Sequence, residues 1–362
     1  HTPHALSLKC RDCRKMLVSK LNRLFQMLIP DTVTTAIHAL SDALSTHTDS
    51  KDIDAALSSL AKIWLTTPTT SDRKIAITAL DELYHSFKVF LPHRDSRKVC
   101  IFGSARTPSD DPDYQLAKAV STELSRSGFF VITGAGDGIM AAGNEGPGPD
   151  RSFGLNIDLP FEQEPNPFIK HSSKLVHYNY FFLRKLFFIK ESDATILCPG
   201  GFGTHDEGFE LLTLIQTGRC APRPLVLMHE KNSCYWDSWL TFVKEELLER
   251  QLISTDDMGL FVITSDPHVA TKHICHFYSG YHSIFYREAH AFVRLNRELS
   301  SHHLQTLTET CGDAVTTDGI FNYYDQACVD SDPFPNKPVL RFLFNKKYGS
   351  LNKLIHTINN LN

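Results

Sequence analysis

The residue types best suited to chemistry gather in residues 199–218, PGGFGTHDEGFELLTLIQTG. Ahead of them Ala194, Thr195, Ile196, Leu197 and Cys198 read as a buried strand. Behind them Phe209, Leu211, Leu212 and Ile215 recur at helical spacing. The order is therefore strand, glycine turn, helix N-terminus. Gly200, Gly201 and Gly203 let a ligand come close to the backbone, and the first helical turn leaves its N–H groups unpaired. The helix dipole favours an anion there, phosphate above all. Thr204 adds a hydroxyl, and Asp206 and Glu207 place carboxylates beside the same turn. A phosphate cradle next to an acid predicts an enzyme acting on a phosphorylated substrate.

Two further groups bear on that chemistry. Thr133-Gly134-Ala135-Gly136-Asp137-Gly138-Ile139-Met140 follows a strand pattern but does not satisfy GxGxxG, and no acidic ribose partner marks the next strand. Arg184 and Lys185 sit in an otherwise apolar helical run, residues 180–189. Neighbouring helix positions point about 100° apart, so at least one of the two charges lies near packed surface, where an unpaired cation is costly. Either the pair snorkels or forms a structural ion pair, or Arg184 faces a pocket and meets Glu207 or the substrate. Glu207 can serve merely to stabilise the helix dipole. A carboxylate that weakens anion binding makes more sense if it works on the sugar of a phosphorylated substrate. Asp206 is expected to cap the helix, Glu210 to be structural and His205 to be exposed.

The elements that must position these groups alternate. Strands are expected at 99–102, 129–133, 153–157, 174–178, 194–198 and 224–228, with helices at 113–127, 180–190, 206–217 and 236–250. This predicts an α/β fold, a Rossmann-like doubly wound parallel sheet, with ligands at the carboxyl ends of the strands. Ser104, the 134–138 turn and the 200–204 turn all fall at such ends. Residues 1–95 read as an N-terminal helical region, with amphipathic patterns at 16–28, 33–44, 53–64 and 73–87. Residues 96–266 form the catalytic domain. Residues 267–362 read as a small C-terminal α+β domain, with helices at 268–278, 301–310 and 351–358 and strands at 290–295 and 339–344. The aromatic run from Tyr278 onward is expected to be the linker.

A chain of 362 residues, 42% hydrophobic and 22% charged, has ample material for a sizeable core. A net charge of −4 and the lack of a long basic run argue against nucleic acid as a partner. No apolar run reaches the ~20 residues of a membrane span, so no membrane is expected, and no secretory signal is visible. The 9 cysteines follow no framework spacing. Cys10 and Cys13 lack the second pair that a zinc site needs, so no metal is expected, and reduced thiols fit a cytoplasmic location.

PGGFGTHDE resembles the PGGxGTxxE signature of the LOG ("lonely guy") family, phosphoribohydrolases long misnamed lysine decarboxylases. The 133–140 block is similar to that family's TGGGxxGxM segment, with Ala135 in place of the middle glycine, and Arg184-Lys185 matches its Arg-Lys pair. The resemblance is to the longer type with N- and C-terminal extensions. It implies hydrolysis of the N-glycosidic bond of a nucleoside 5′-monophosphate, such as AMP or a cytokinin riboside monophosphate, without a cofactor. It also implies that Arg184 and Glu207 are catalytic. Ser104, Gly134, Gly136, Gly138, Met140, Lys185, Gly200, Gly201, Gly203, Thr204 and Thr213 then contact substrate or phosphate, in a homodimer or larger assembly. The alternative is a non-catalytic nucleotide- or cofactor-binding module like the molybdenum-cofactor carriers, against which the intact Arg184 and Glu207 argue. Amino-acid decarboxylation needs pyridoxal phosphate on a lysine, for which no motif is present.

Overall fold

The computed structural model describes residues 30–44, 50–66, 69–159, 164–318, 320–324, 334 and 336–361. The chain divides into two compact units, His1–Asp81 and Glu82–Asn362. The amphipathic pattern at 16–28 and the Cys10/Cys13 pair lie outside the described residues. In the first unit α1 (Asp31–Leu44) packs on α2 (Ser50–Thr66), and α3 (Thr70–Phe90) runs past the division. Each begins earlier than its apolar pattern, because the first turn of each is polar: Asp31, Asp52 and Asp72 sit there and suit the helix dipole.

The second unit is built on β1 (Lys98–Phe102), which is buried at every position. Such strands belong inside a parallel sheet covered on both faces. The chain continues through α4 (Pro112–Arg126), β2 (Phe130–Thr133), α5 (Ile139–Glu145), β3 (Ser152–Ile157) and β4 (Leu175–Tyr178). It then forms α6 (Phe181–Glu191), β5 (Ala194–Leu197), α7 (Phe202–Gln216), β6 (Leu225–Met228), α8 (Tyr235–Phe242) and β7 (Val262–Thr264). The seven strands run in the order β4-β3-β2-β1-β5-β6-β7, every neighbouring pair parallel. The chain winds outward from β1 to β4, returns to β5 beside β1, and winds outward the other way. The reversal between β1 and β5 opens a crevice at their carboxyl ends, where α/β sheets bind ligands.

The Rossmann-like sheet thus stands as expected, with particular differences. The helix expected at 206–217 starts at Phe202, with Gly201 as its N-cap (φ −87°, ψ −157°), so the glycine turn is itself the first helical turn. Asp206 therefore lies beyond the cap position and does not cap. The helix expected at 236–250 is α8 followed by a π-helical turn, Val243–Leu248. Strand β7, three residues long, was too short to register as a period.

Next comes α9 (Pro267–Phe277), which sets Ala270 and Ile274 into the core of the parallel sheet. The aromatic run expected as a linker is largely strand β8 (Tyr281–Arg287). It pairs with β9 (His290–Leu295), and α10 (Ser301–Val315), β10 (Asn322–Tyr323), β11 (Val339–Leu343) and α11 (Leu351–Asn360) complete this region. Its antiparallel sheet has the order β10-β11-β9-β8 and a core of its own, including Val293, Leu307, Leu340 and Leu354. Among the described residues no helix is long and apolar enough to cross a membrane.

Candidate functional site

A cleft of about 840 Å³ opens at the carboxyl ends of β1, β2 and β5. Of the residues singled out above, Ser104, Gly134, Met140, Arg184, Gly200, Gly201, Gly203, Thr204, His205, Asp206 and Glu207 line it. The backbone of Ser104 ties its two glycine turns together. Ser104 N donates to Pro199 O (3.0 Å), and Ile139 N donates to Ser104 O (3.0 Å). Gly138, at φ +61°, makes this possible: a Cβ there would stand 2.3 Å from Ser104 O.

The 134–136 turn has little free polar surface. Asn166 is buried: its backbone N–H donates to Ala135 O (2.8 Å), and the two hydrogens of its Nδ2 are shared among Ala135 O (3.1 Å), Gly136 O (3.0 Å) and Asn144 Oδ1 (3.0 Å), while Thr133 Oγ1 also donates to Asn144 Oδ1 (2.7 Å). This net holds Ala135 at φ +62°, a conformation that disfavours a residue with a Cβ. The remaining carbonyl, Gly134 O, accepts from Arg184 Nη2 (3.0 Å), and Arg184 Nε donates to Leu155 O (2.7 Å). Arg184 thus reaches from α6 across the ends of β2 and β3. Burial lowers its pKa to about 10, opposed by the charge of Glu207. Its Nη1 makes no hydrogen bond among the described residues. The expected pairing of Arg184 with Glu207 is not direct, because both carbonyls compete for the guanidinium and hold it.

Lys185, one position on, faces α7 instead. Its ammonium pairs with Asp206 (2.9 Å), Glu207 (3.1 Å) and Glu210 (2.8 Å). Burial alone would lower its pKa, but Glu210, Asp206 and Glu207 overcome this and raise it. Expected to touch substrate, Lys185 is instead engaged by carboxylates and does not line the cleft. Glu207, only 9% exposed, has its pKa raised by burial, with Lys185 and Arg184 pulling it back. Beside it Gly201, Phe202 and Gly203 present backbone N–H groups with no acceptor among the described residues, and Phe202 is 96% exposed at the mouth. These groups can hold an anion at the helix N-terminus, with a carboxylate one turn away.

Three more expectations need placing. Gly136 and Gly138 shape their turn without lining the cleft. Thr213 is exposed on α7, two turns on, with Oγ1 donating to Phe209 O (2.8 Å), because each helical turn carries it away from the cleft. His205, expected to be exposed, is half-buried: its ring stacks near Phe209 and Tyr235, and its Nε2 lies 2.8 Å from Tyr235 Oη. The residues missed from sequence are Asn166, Asn144, Tyr235 and Glu82. The last accepts from Asn179 N (2.6 Å) and Nδ2 (3.0 Å), fixing the approach to α6. Only the Asn-Pro step at 166–167 offered a local signal. Among the described residues no group of three His, Cys, Asp or Glu is placed to hold a metal ion.

Residues 134–274 match the protein-family model described as possible lysine decarboxylase. The cytokinin riboside 5′-monophosphate phosphoribohydrolase LOG2 of Arabidopsis thaliana is 24% identical over 161 residues, covering 44% of this chain and 74% of that protein. Among solved structures, the molybdenum cofactor binding protein of Rippkaea orientalis is 19% identical (TM-score 0.35), covering 49% of this chain and 93% of that one. The molybdenum cofactor carrier protein of Chlamydomonas reinhardtii is 16% identical (TM-score 0.36), covering 50% and 96%.

Proposed function

We propose that this chain, which belongs to the LOG family formerly called lysine decarboxylases, hydrolyses the N-glycosidic bond of nucleoside 5′-monophosphates to free base and ribose 5-phosphate. One observation carries the reading. The open amides of Gly201–Gly203, the Glu207 carboxylate and the Arg184 guanidinium converge on one cleft. The amides bind the 5′-phosphate and so fix where the ribose lies, removing much of the orientational cost of reaction. Departure of the base leaves an oxocarbenium-like sugar. Glu207, ionised, stabilises that cation and orients the attacking water, whose oxygen bonds to the sugar carbon and whose proton ends on the released base. Arg184, held on the carbonyls of Gly134 and Leu155, offers Nη1 to the ribose hydroxyls. Lys185 is a positioning residue that holds Glu207 in place and favours its charged form.

The test is base release, followed by chromatography, from a panel of nucleoside monophosphates and the matching nucleosides. Release from monophosphates only, lost in Glu207→Gln with nucleotide binding retained, is the expected result. Nucleotide binding without release from any substrate would instead support a carrier of the same fold.

A further inference from the structure

His205 follows Thr204 in the first turns of α7, and its partners give it a task. The phenol of Tyr235 donates its one proton to Gly200 O, since a carbonyl can only accept. Tyr235 Oη is then left as an acceptor toward His205 Nε2 at 2.8 Å, which fixes the proton on Nε2. The chain of donation therefore runs His205, Tyr235, Gly200. The rings hold this line in place: His205 lies between Phe209 (6.3 Å) and Tyr235 (6.0 Å), with Trp236 edge-on (5.8 Å). Trp236, fully buried, is anchored in turn by its indole N–H on Met228 O (2.9 Å).

We propose that His205 and Tyr235 are positioning residues that set the Gly200–Gly201 peptide for anion binding. A trans peptide is planar, with its C=O and N–H pointing in opposite directions. Holding Gly200 O on Tyr235 therefore turns Gly201 N–H away from Tyr235 and toward the open side of the turn. Glycine at 200 has no Cβ to fix this peptide, and none would fit, since it would stand 2.0 Å from Thr204 Oγ1 and 3.0 Å from Ser104 N. The strut replaces that missing constraint. It rests on the phosphate-cradle reading above, and it adds that the cradle is preorganised by side chains rather than shaped by the ligand.

The experiment measures binding of ribose 5-phosphate by calorimetry, alongside KM and kcat for the best monophosphate. The variants are Tyr235→Phe, His205→Leu and His205→Gln, each checked for folding by thermal melting. Tyr235→Phe and His205→Leu are expected to weaken ribose 5-phosphate binding and raise KM about tenfold each, the scale of one lost hydrogen bond, with a smaller change in kcat. His205→Gln, whose amide can donate to Tyr235, is expected to recover most of the binding. Unchanged affinity in folded Tyr235→Phe overturns the strut and leaves the hydrolase reading standing. A wild-type protein that binds neither ribose 5-phosphate nor a monophosphate overturns both.

Discussion

Two glycine turns lie at the ends of β2 and β5, on either side of β1, and they are chemically opposite. The 134–136 turn is closed: Arg184 occupies the carbonyl of Gly134, and Asn166 those of Ala135 and Gly136. The 201–203 turn is open, its amides having no acceptor among the described residues. Glycine content alone does not make a phosphate site. In the first turn glycine makes room for a side chain of the same protein, since a Cβ at Gly134 would stand 2.3 Å from Arg184 Nη2. In the second it makes room for something from outside, and a Cβ at Gly201 or Gly203 would meet nothing within 4 Å.

The largest effect that would sharpen this contrast is chemical. Glu207→Gln is expected to lower kcat by about 10³-fold, on the scale of a lost catalytic carboxylate. It should not lower the melting temperature at neutral pH. Burial raises the Glu207 pKa in the fold, so the native protein holds this proton more tightly than the unfolded chain. Stability is therefore lost as pH rises from the unfolded carboxylate value through the raised native one, and a neutral amide escapes that loss.

Next comes the pair Gly134→Ala and Gly203→Ala. The first must displace Arg184 and is expected to cut kcat about 100-fold and destabilise the fold by about 2–3 kcal/mol. The second is expected to change stability by less than about 1 kcal/mol, while altering phosphate affinity. Equal melting losses in the two would break the comparison.

Asn166→Ala takes the side-chain donor from Gly136 O, while Ala135 O keeps the backbone N–H of residue 166 and Asn144 Oδ1 keeps Thr133 Oγ1, and about 2 kcal/mol of destabilisation is expected in denaturant titration. The pH profile offers a subtler check. The acid limb of kcat is expected above the ordinary carboxylate range, and Lys185→Met should move it further up, because the ammonium that favours ionised Glu207 is gone. The smallest effect is Ala135→Gly. Relief of the left-handed backbone offsets the flexibility gained by the unfolded chain, and the fold is expected to gain less than about 1 kcal/mol.

What the sequence made legible was local. Strand, turn and helix at 194–216 follow from apolar spacing and three glycines, and the central strands from short apolar runs. Adjacent Arg184 and Lys185 announced a packing problem, but their solutions lie elsewhere in the chain, at Gly134, Leu155 and the acids of α7. Asn166 is equally remote from the turn it closes. Strand β8 escaped because its exposure does not alternate: Tyr281 is buried, the next four residues are half-buried, and Tyr286 and Arg287 are exposed. A strand with a bulge between Tyr281 and Ser283 gives no period of two.

Ser104 shows one more consequence. Its part in joining the two turns is played by main-chain atoms, through Pro199 O and Ile139 N, while its hydroxyl accepts from Arg106 N (3.0 Å) and makes no other hydrogen bond among the described residues. Any residue but proline supplies those main-chain groups. Position 104 is therefore a slot in the cleft wall whose side chain can be exchanged without disturbing the frame, and under the proposed hydrolase reading it is a place to retune substrate preference.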